Sequence, residues 1–232
     1  MSAYWDFTQW DWSMMNIARN SLSALLGYYA VRIVVLLIEG IIQKAIPFAR
    51  QRAIMIVFGS GGHTTEMLMM YKDYDFTKFN KVIFVRAATD KTSEGKIYDY
   101  LQKNKVKIDI EKIDWIVIPR SREVGQSYLT SIFTTMYSIF ATYWKVTIRG
   151  RIDLTVLNGP GTCIPVAFTI LLNKILLIYS GCKILFIESY ARVYHLSLSG
   201  KILYRVVDRF VVHWPELTKR YSRAKYYGTL IQ

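Results

Sequence analysis

With 232 residues, 52% of them hydrophobic and 15% aromatic, the chain is long enough for one large α/β domain plus an appendage. Lysine and arginine outnumber aspartate and glutamate by 30 to 17, and the resulting net charge of +13 favours an anionic partner: a phosphate-bearing substrate, an acidic lipid surface or nucleic acid. The basic residues are dispersed, with no Lys/Arg block and no zinc spacing, which argues against nucleic acid; two lone cysteines, Cys163 and Cys182, exclude a disulfide framework and a cysteine metal cluster.

Residues 1–20 carry Trp5, Trp10 and Trp12 beside Tyr4 and Phe7, aromatics of the kind found at membrane interfaces. Residues 21–42 are strongly apolar and match the ~20 residues needed to cross a bilayer. Arg32 and Glu39 interrupt them; an arginine near the middle costs ~2.5–3.5 kcal/mol on insertion, eased where its long side chain snorkels. No small-residue cleavage site follows a short apolar core, which speaks against a removed signal peptide. A spanning anchor, an interfacial helix and a helix packed on the domain all fit the pattern, and length favours the anchor. A basic linker, 43–52, follows. Arg19 is the one base of the N-terminal flank, whereas Lys44, Arg50 and Arg52 come after the apolar segment. A spanning segment would therefore leave the large domain, 53–232, in the cytosol, in keeping with the sparse cysteines.

From Ala53 onward short apolar runs alternate with helical stretches. Strands are expected at 54–58, 81–86, 114–118, 153–157, 183–187, 209–213 and 226–230. Helices are expected at 63–71, 92–104, 126–149, 162–179, 199–207 and 215–221. Continuous apolar strands joined by helices predict a parallel, Rossmann-like sheet covered on both faces, with ligands bound beyond the strand C-termini. The loops at those ends carry the functional signal.

After the first strand comes Gly59-Ser60-Gly61-Gly62-His63-Thr64-Thr65-Glu66. Glycines there let a ligand approach the backbone, and the helix beginning near His63 points free N–H groups at the turn, which suits phosphate. After the third strand, Arg120 and Arg122 flank the entrance of a helix and fit bidentate phosphate contacts, or pairing with Glu123. No residue from Val124 to Trp144 is charged, and Phe133, Tyr137, Phe140 and Trp144 form one aromatic stripe, widened by Ile132, Met136 and Ile139. Ordinary core packing is the expectation for such a stripe, with a lipid-facing surface as the rival. After the fourth strand, Asn158-Gly159-Pro160-Gly161-Thr162 makes a second glycine turn opening a second helix. That helix reads as a buried core helix. After the fifth strand stand Glu188, Ser189, Tyr190 and Arg192; Glu188 fits either a role at the active edge or a helix cap. His195 and His213 read as structural or surface histidines. The tail, 225–232, reads as an edge strand for pairing with another chain.

The segments Phe58–Leu68, Ser121–Ser127, Leu157–Pro165, Glu188–Val193, Leu198–Tyr204 and Val212–Leu217 together resemble the membrane-anchored subunit of the eukaryotic UDP-N-acetylglucosamine transferase of asparagine-linked glycosylation. That enzyme adds the second N-acetylglucosamine to N-acetylglucosaminyl-diphosphodolichol. The resemblance runs from about residue 53 to the C-terminus and covers the first 50 residues only in kind. It implies the acceptor-side half of a GT-B glycosyltransferase, with a small soluble donor-binding subunit as partner, and with neither chain active alone. It implies residence at the endoplasmic reticulum membrane with the large domain facing the cytosol. Tyr227, Gly228, Leu230 and Ile231 would help dock the partner.

In the mechanism so implied, His63 is the first choice of general base, oriented by Glu66 or Glu188, with Glu188 as the rival base. Gly59, Ser60, Gly61, Gly62 and Thr64, together with Asn158, Gly159, Pro160, Gly161 and Thr162, would hold the acceptor or its diphosphate. Arg122, Gln126, Ser127, Ser189 and Arg192 would join them. The dolichol would leave along the aromatic helix toward the membrane. No motif requires a metal or a cofactor, and the donor UDP-N-acetylglucosamine would be held mainly by the partner. Two alternatives stand beside this. One is a non-catalytic membrane scaffold with all chemistry on the partner. The other is a self-sufficient nucleotide-binding enzyme, disfavoured because Gly-Ser-Gly-Gly-His departs from Gly-x-Gly-x-x-Gly and no acidic residue ends the second strand.

Overall fold

The computed structural model describes residues 7–45, 52–121, 125–178 and 181–231. The chain divides into two compact units, one reaching from the N-terminus to Arg50 and including Leu176–Ile178, the other holding the rest from Gln51.

The first unit is dominated by one helix, α1 (Phe7–Ala45), whose stretch Trp12–Ile41 is long and apolar enough to cross a membrane. Apolar side chains such as Leu22, Leu25, Val31, Ile33, Val34 and Leu37 are exposed on every side of it. It therefore lacks the polar face that a helix lying in the interface carries. Arg32, costly in an apolar segment, is satisfied within this unit: its Nε donates to the Leu177 carbonyl at 3.1 Å and its Nη2 to that of Ile178 at 3.1 Å.

The second unit is a doubly covered parallel sheet. Its strands are β1 (Ala53–Val57), β2 (Lys81–Ala87), β3 (Ile113–Ile118), β4 (Leu154–Asn158), β5 (Lys183–Ile187), β6 (Arg209–Val212) and β7 (Ala224–Tyr226). Their order is β3-β2-β1-β4-β5-β6-β7, and every pairing is parallel. Successive side chains point to opposite faces. Along β1, Met55 and Val57 enter one core while Ile54 and Ile56 enter the other. The helices are α2 (Gly62–Met70), α3 (Ser93–Lys103), α4 (Tyr128–Thr147), α5 (Cys163–Ile175), α6 (Leu198–Leu203) and α7 (Pro215–Arg220). Met67 and Leu68 of α2 and Ile97 and Leu101 of α3 close one face. Val146 of α4, Val166 and Ile170 of α5, Leu203 of α6 and Leu217 of α7 close the other. The expected fold class and the expected buried helix after the fourth strand are both present.

Two expectations are corrected. The terminal strand does not run over 226–230 but over Ala224–Tyr226, paired with β6. Gly228 then turns at φ 89, out of extended backbone, and Leu230 folds back against the sheet core. Tyr227, Gly228, Leu230 and Ile231 are therefore not a strand edge. The aromatic stripe is not core either: Phe133, Tyr137, Phe140 and Trp144 are all exposed. The helix packs instead through its hydroxyl face, where Ser138 Oγ donates to the Pro119 carbonyl at 2.7 Å and Thr134 Oγ1 to that of Ser121 at 2.7 Å.

Candidate functional site

The strand order reverses direction between β1 and β4, and the crevice outside the C-terminal ends at such a switch point is where open α/β sheets bind ligands. Both glycine turns meet there. Gly59 is buried, and a Cβ built on it would lie 2.6 Å from Pro160 Cγ and 2.7 Å from His63 Cβ. Gly159 has φ 63, and a Cβ there would lie 2.8 Å from His63 Cε1 and 3.1 Å from its Nδ1. The two turns thus pack against each other with the His63 ring laid over Gly159, an approach no side chain would allow. Gly61 starts α2 at φ 63 without a side-chain cap, and Ser60, Gly61 and Gly62 are exposed at the mouth.

Around His63 the ends of four adjacent strands supply polar groups. His63 Nδ1 faces Glu66 Oε2 at 3.6 Å, one helical turn away. Ser189, after β5, donates its hydroxyl to Glu66 Oε1 at 3.0 Å. Burial pushes the Glu66 carboxyl up, but hydrogen bonding from His63 and Ser189 and the charge of His63 outweigh it, leaving it below the ordinary carboxylate value. Asn158 ends β4 fully buried, and its side-chain amide makes no well-formed hydrogen bond among the described residues. His213, after β6, is 1% exposed with both ring nitrogens unpartnered among the described residues, and burial lowers its pKa. It meets the Tyr190 ring edge to face at 5.7 Å. Two buried polar side chains without partners among the described residues, Asn158 and His213, are what a polar ligand or ordered water would satisfy.

Other expected residues do structural work. Glu188 is fully buried and caps the entry to α6: Oε1 accepts from Ser189 N at 3.0 Å, and Oε2 accepts from Ser197 N at 2.9 Å and Ser197 Oγ at 3.2 Å. Burial raises its pKa in spite of those bonds. Thr64 is buried, its hydroxyl bonded to the Gly59 carbonyl and to Ser93 Oγ. Ser127 caps α4 through Thr130 N, and Gln126 Nε2 donates to Thr134 Oγ1 at 3.3 Å. Arg192 is exposed beside this edge. Arg122 lies outside the described residues. Among the described residues no three or more His, Cys, Asp or Glu side chains gather as a metal-ligand set.

Next to the His63 crevice opens a cleft of about 1010 Å³. Ser60, Lys91, Arg120, Ser121 and Thr162 line its polar side; Ile132, Met136 and Ile139 of α4, Phe168 of α5 and Leu198 and Ile202 of α6 line its apolar side. The buried Thr162 hydroxyl has no partner among the described residues. The loop after β2 is a contributor that sequence reasoning missed: Asp90 stands three residues past the strand, capping Ser93 N through Oδ1 at 3.1 Å, and Lys91 reaches the cleft wall. The position of that loop at a strand C-terminus was the available signal. A cleft polar at one end and apolar along one wall fits an amphiphile with an anionic head.

A family model described as "Oligosaccharide biosynthesis protein Alg14 like" matches residues 54–230. The chain is 40% identical over 190 residues to the UDP-N-acetylglucosamine transferase subunit ALG14 of Candida albicans, across 82% of this chain and 83% of that protein. It is 40% identical over 185 residues to the protein of that name from Mus musculus, across 77% and 82%. For that of Homo sapiens the figures are 37% over 186 residues, across 77% and 83%. Among solved structures, MurG of Acinetobacter baumannii superposes with a TM-score of 0.47 and 14% identity over 72% of this chain and 42% of that one, too distant a likeness to argue from.

Proposed function

Because this chain belongs to the Alg14 family of oligosaccharide biosynthesis proteins, we propose that it is the membrane-anchored, acceptor-binding subunit of a UDP-N-acetylglucosamine transferase. It works with a small soluble donor-binding subunit, in the manner of the two halves of a GT-B glycosyltransferase, and is inactive alone. α1 anchors it in the endoplasmic reticulum membrane, and Lys44, Arg50 and Arg52 after the apolar stretch favour a cytosolic position for the large unit. The acceptor is N-acetylglucosaminyl-diphosphodolichol.

The observation that carries this reading is the His63–Glu66–Ser189 arrangement at the strand switch point, beside a cleft polar at one end and apolar along one wall. The acceptor diphosphate lies at the mouth formed by Ser60–Gly62, Lys91 and Arg120, and its prenyl chain runs along the α4–α6 wall. His63 turns Nδ1 to Glu66, which leaves Nε2 for the acceptor. A carboxylate held anionic beside Nδ1 fixes that tautomer and supports the imidazolium as it forms. In the reaction the acceptor 4-hydroxyl oxygen bonds to the anomeric carbon as the bond to UDP breaks. Its proton passes to His63 Nε2, and the configuration inverts. Glu188, already bonded through both oxygens, positions Ser189 and α6 rather than accepting the proton.

The test is reconstitution. The chain in proteoliposomes containing N-acetylglucosaminyl-diphosphoprenol should transfer sugar from labelled UDP-N-acetylglucosamine only when the donor-binding subunit is added. Turnover by either chain alone would overturn the division of labour.

A further inference from the structure

Asp90, in the loop after β2, is only 7% exposed and lines the cleft. Its backbone and one carboxylate oxygen are fixed. The N–H donates to the Ala87 carbonyl at 3.0 Å, the carbonyl accepts from Arg86 Nη1 at 3.0 Å, and Oδ1 accepts from Ser93 N at 3.1 Å. Arg86 is itself held by Glu94, its Nη2 donating to Oε2 at 2.9 Å. The Ser93 hydroxyl meets that of Thr64 at 2.9 Å, and Thr64 bonds the Gly59 carbonyl, so the loop is tied to the turn that carries His63. The remaining oxygen, Oδ2, is buried without a partner among the described residues. A buried acceptor left open on a fixed loop forgoes a hydrogen bond unless a ligand or water supplies the donor.

We propose that Asp90 is a specificity residue for the acceptor: its Oδ2 accepts a hydrogen bond from a hydroxyl of the acceptor sugar other than the reacting 4-hydroxyl. The charge pattern decides what kind of group it takes. Lys91 and Arg120 line the same cleft and attract phosphate, whereas a carboxylate repels it. An ionised carboxylate only accepts hydrogen bonds, so its partner is a group that donates. A sugar that carries a diphosphate offers such hydroxyls beside its anionic end. The sheet order supports the placement. β2 and β4 lie on either side of β1, so the loops after them flank the His63 turn. A sugar ring whose 4-hydroxyl meets His63 presents its other hydroxyls to those two loops. In the loop after β4 the Thr162 hydroxyl is likewise buried, without a partner among the described residues, and on the cleft wall. A sugar hydroxyl both donates and accepts, which suits a subsite with a carboxylate on one flank and a threonine on the other. Repulsion from Asp90 keeps the diphosphate on Lys91 and Arg120, so the carboxylate orients the sugar as well as selecting it. The inference rests on the reading of this chain as the acceptor-binding subunit.

The test uses the full chain reconstituted with the donor-binding subunit in proteoliposomes. The acceptors are N-acetylglucosaminyl-diphosphoprenol and its 3-deoxy and 6-deoxy analogues. Asp90→Ser keeps an oxygen that can accept from Ser93 N and deletes Oδ2, and thermal melts confirm that the variant is folded. The wild-type pair should favour the parent acceptor over one of the two analogues by about 10–10²-fold in kcat/KM, as loss of a hydrogen bond to a charged group does. Asp90→Ser should lose the same factor on the parent, transfer to the parent and that analogue equally well, and leave the KM for UDP-N-acetylglucosamine unchanged. Equal use of all three acceptors by the wild-type pair overturns the inference, whether or not the variant folds. So does a loss in Asp90→Ser that is the same for all three acceptors, that appears in the donor KM, or that millimolar Mg²⁺ restores, the last meaning a cation rather than a hydroxyl at Oδ2. A wild-type pair that transfers to none of the three overturns the acceptor-binding reading and this inference together.

Discussion

Gly159→Ala probes the packing of the two turns. The residue sits at φ 63, where an L side chain costs ~1–2 kcal/mol. The added Cβ would lie 2.8 Å from His63 Cε1. Carbon atoms rest at about 3.5–4.0 Å, so the ring has to retreat by at least ~0.7 Å. For a domain of this size that strain lowers the melting temperature by about 2–8 °C and leaves the fold intact. The displacement is far more serious for chemistry, because a shift approaching 1 Å in a catalytic group costs on the order of 10²-fold. Gly95→Ala in α3 is the control: a Cβ there meets nothing within 4 Å, so turnover is unchanged and stability rises by up to ~1 kcal/mol. The assay is transfer by the reconstituted pair, with thermal melts of both variants. Wild-type turnover in a folded Gly159→Ala chain would refute the reasoning.

Glu188→Ala strands the N–H groups of Ser189 and Ser197, at ~1–3 kcal/mol for each orphaned donor, and denaturant midpoints should fall accordingly. Gly200→Ala should act on the same contact, since its Cβ would lie 2.2 Å from Glu188 Oε2. Stability against pH separates the two carboxylates. Glu66 is held low in the folded chain, so its contribution is full above the unfolded value of about 4.3 and lost as pH falls through the folded one. Glu188 is raised by burial, so its contribution is full below about 4.3 and lost as pH rises through the folded value. Melting curves of Glu66→Gln and Glu188→Gln should therefore diverge from wild type in opposite directions as pH rises, and parallel curves would contradict the burial argument.

Continuous apolar runs such as Ile54–Phe58 and Ile184–Ile187 made the parallel sheet legible, because a strand buried on both faces has few other ways to look. The turns at Gly59 and Gly159 were legible for a related reason: glycines directly after such strands mark backbone that has to approach something. The α4 face was misread because the periodicity locates a stripe without saying which side of it meets the core. With no charge before Lys145 in the last turn, the packed hydroxyls of Ser138 and Thr134 decide the matter. For Glu188 the sequence left an active-edge role and a helix cap both open, because a carboxylate after a buried strand fits either; its turn inward depends on Gly200 of α6 leaving room. The Asp90–Lys91 loop was missed since its residues resemble any polar connection until the cleft places them. The tail was displaced because Gly228 ends the extended run early.

The most direct test of the account replaces His63 in the reconstituted pair and follows transfer at saturating donor and acceptor. His63→Ala should lower kcat by at least ~10²-fold, as loss of a general base does, while binding of the donor-binding subunit stays intact. A kcat near wild type, with that binding preserved, would contradict the assignment of the acceptor chemistry to this chain.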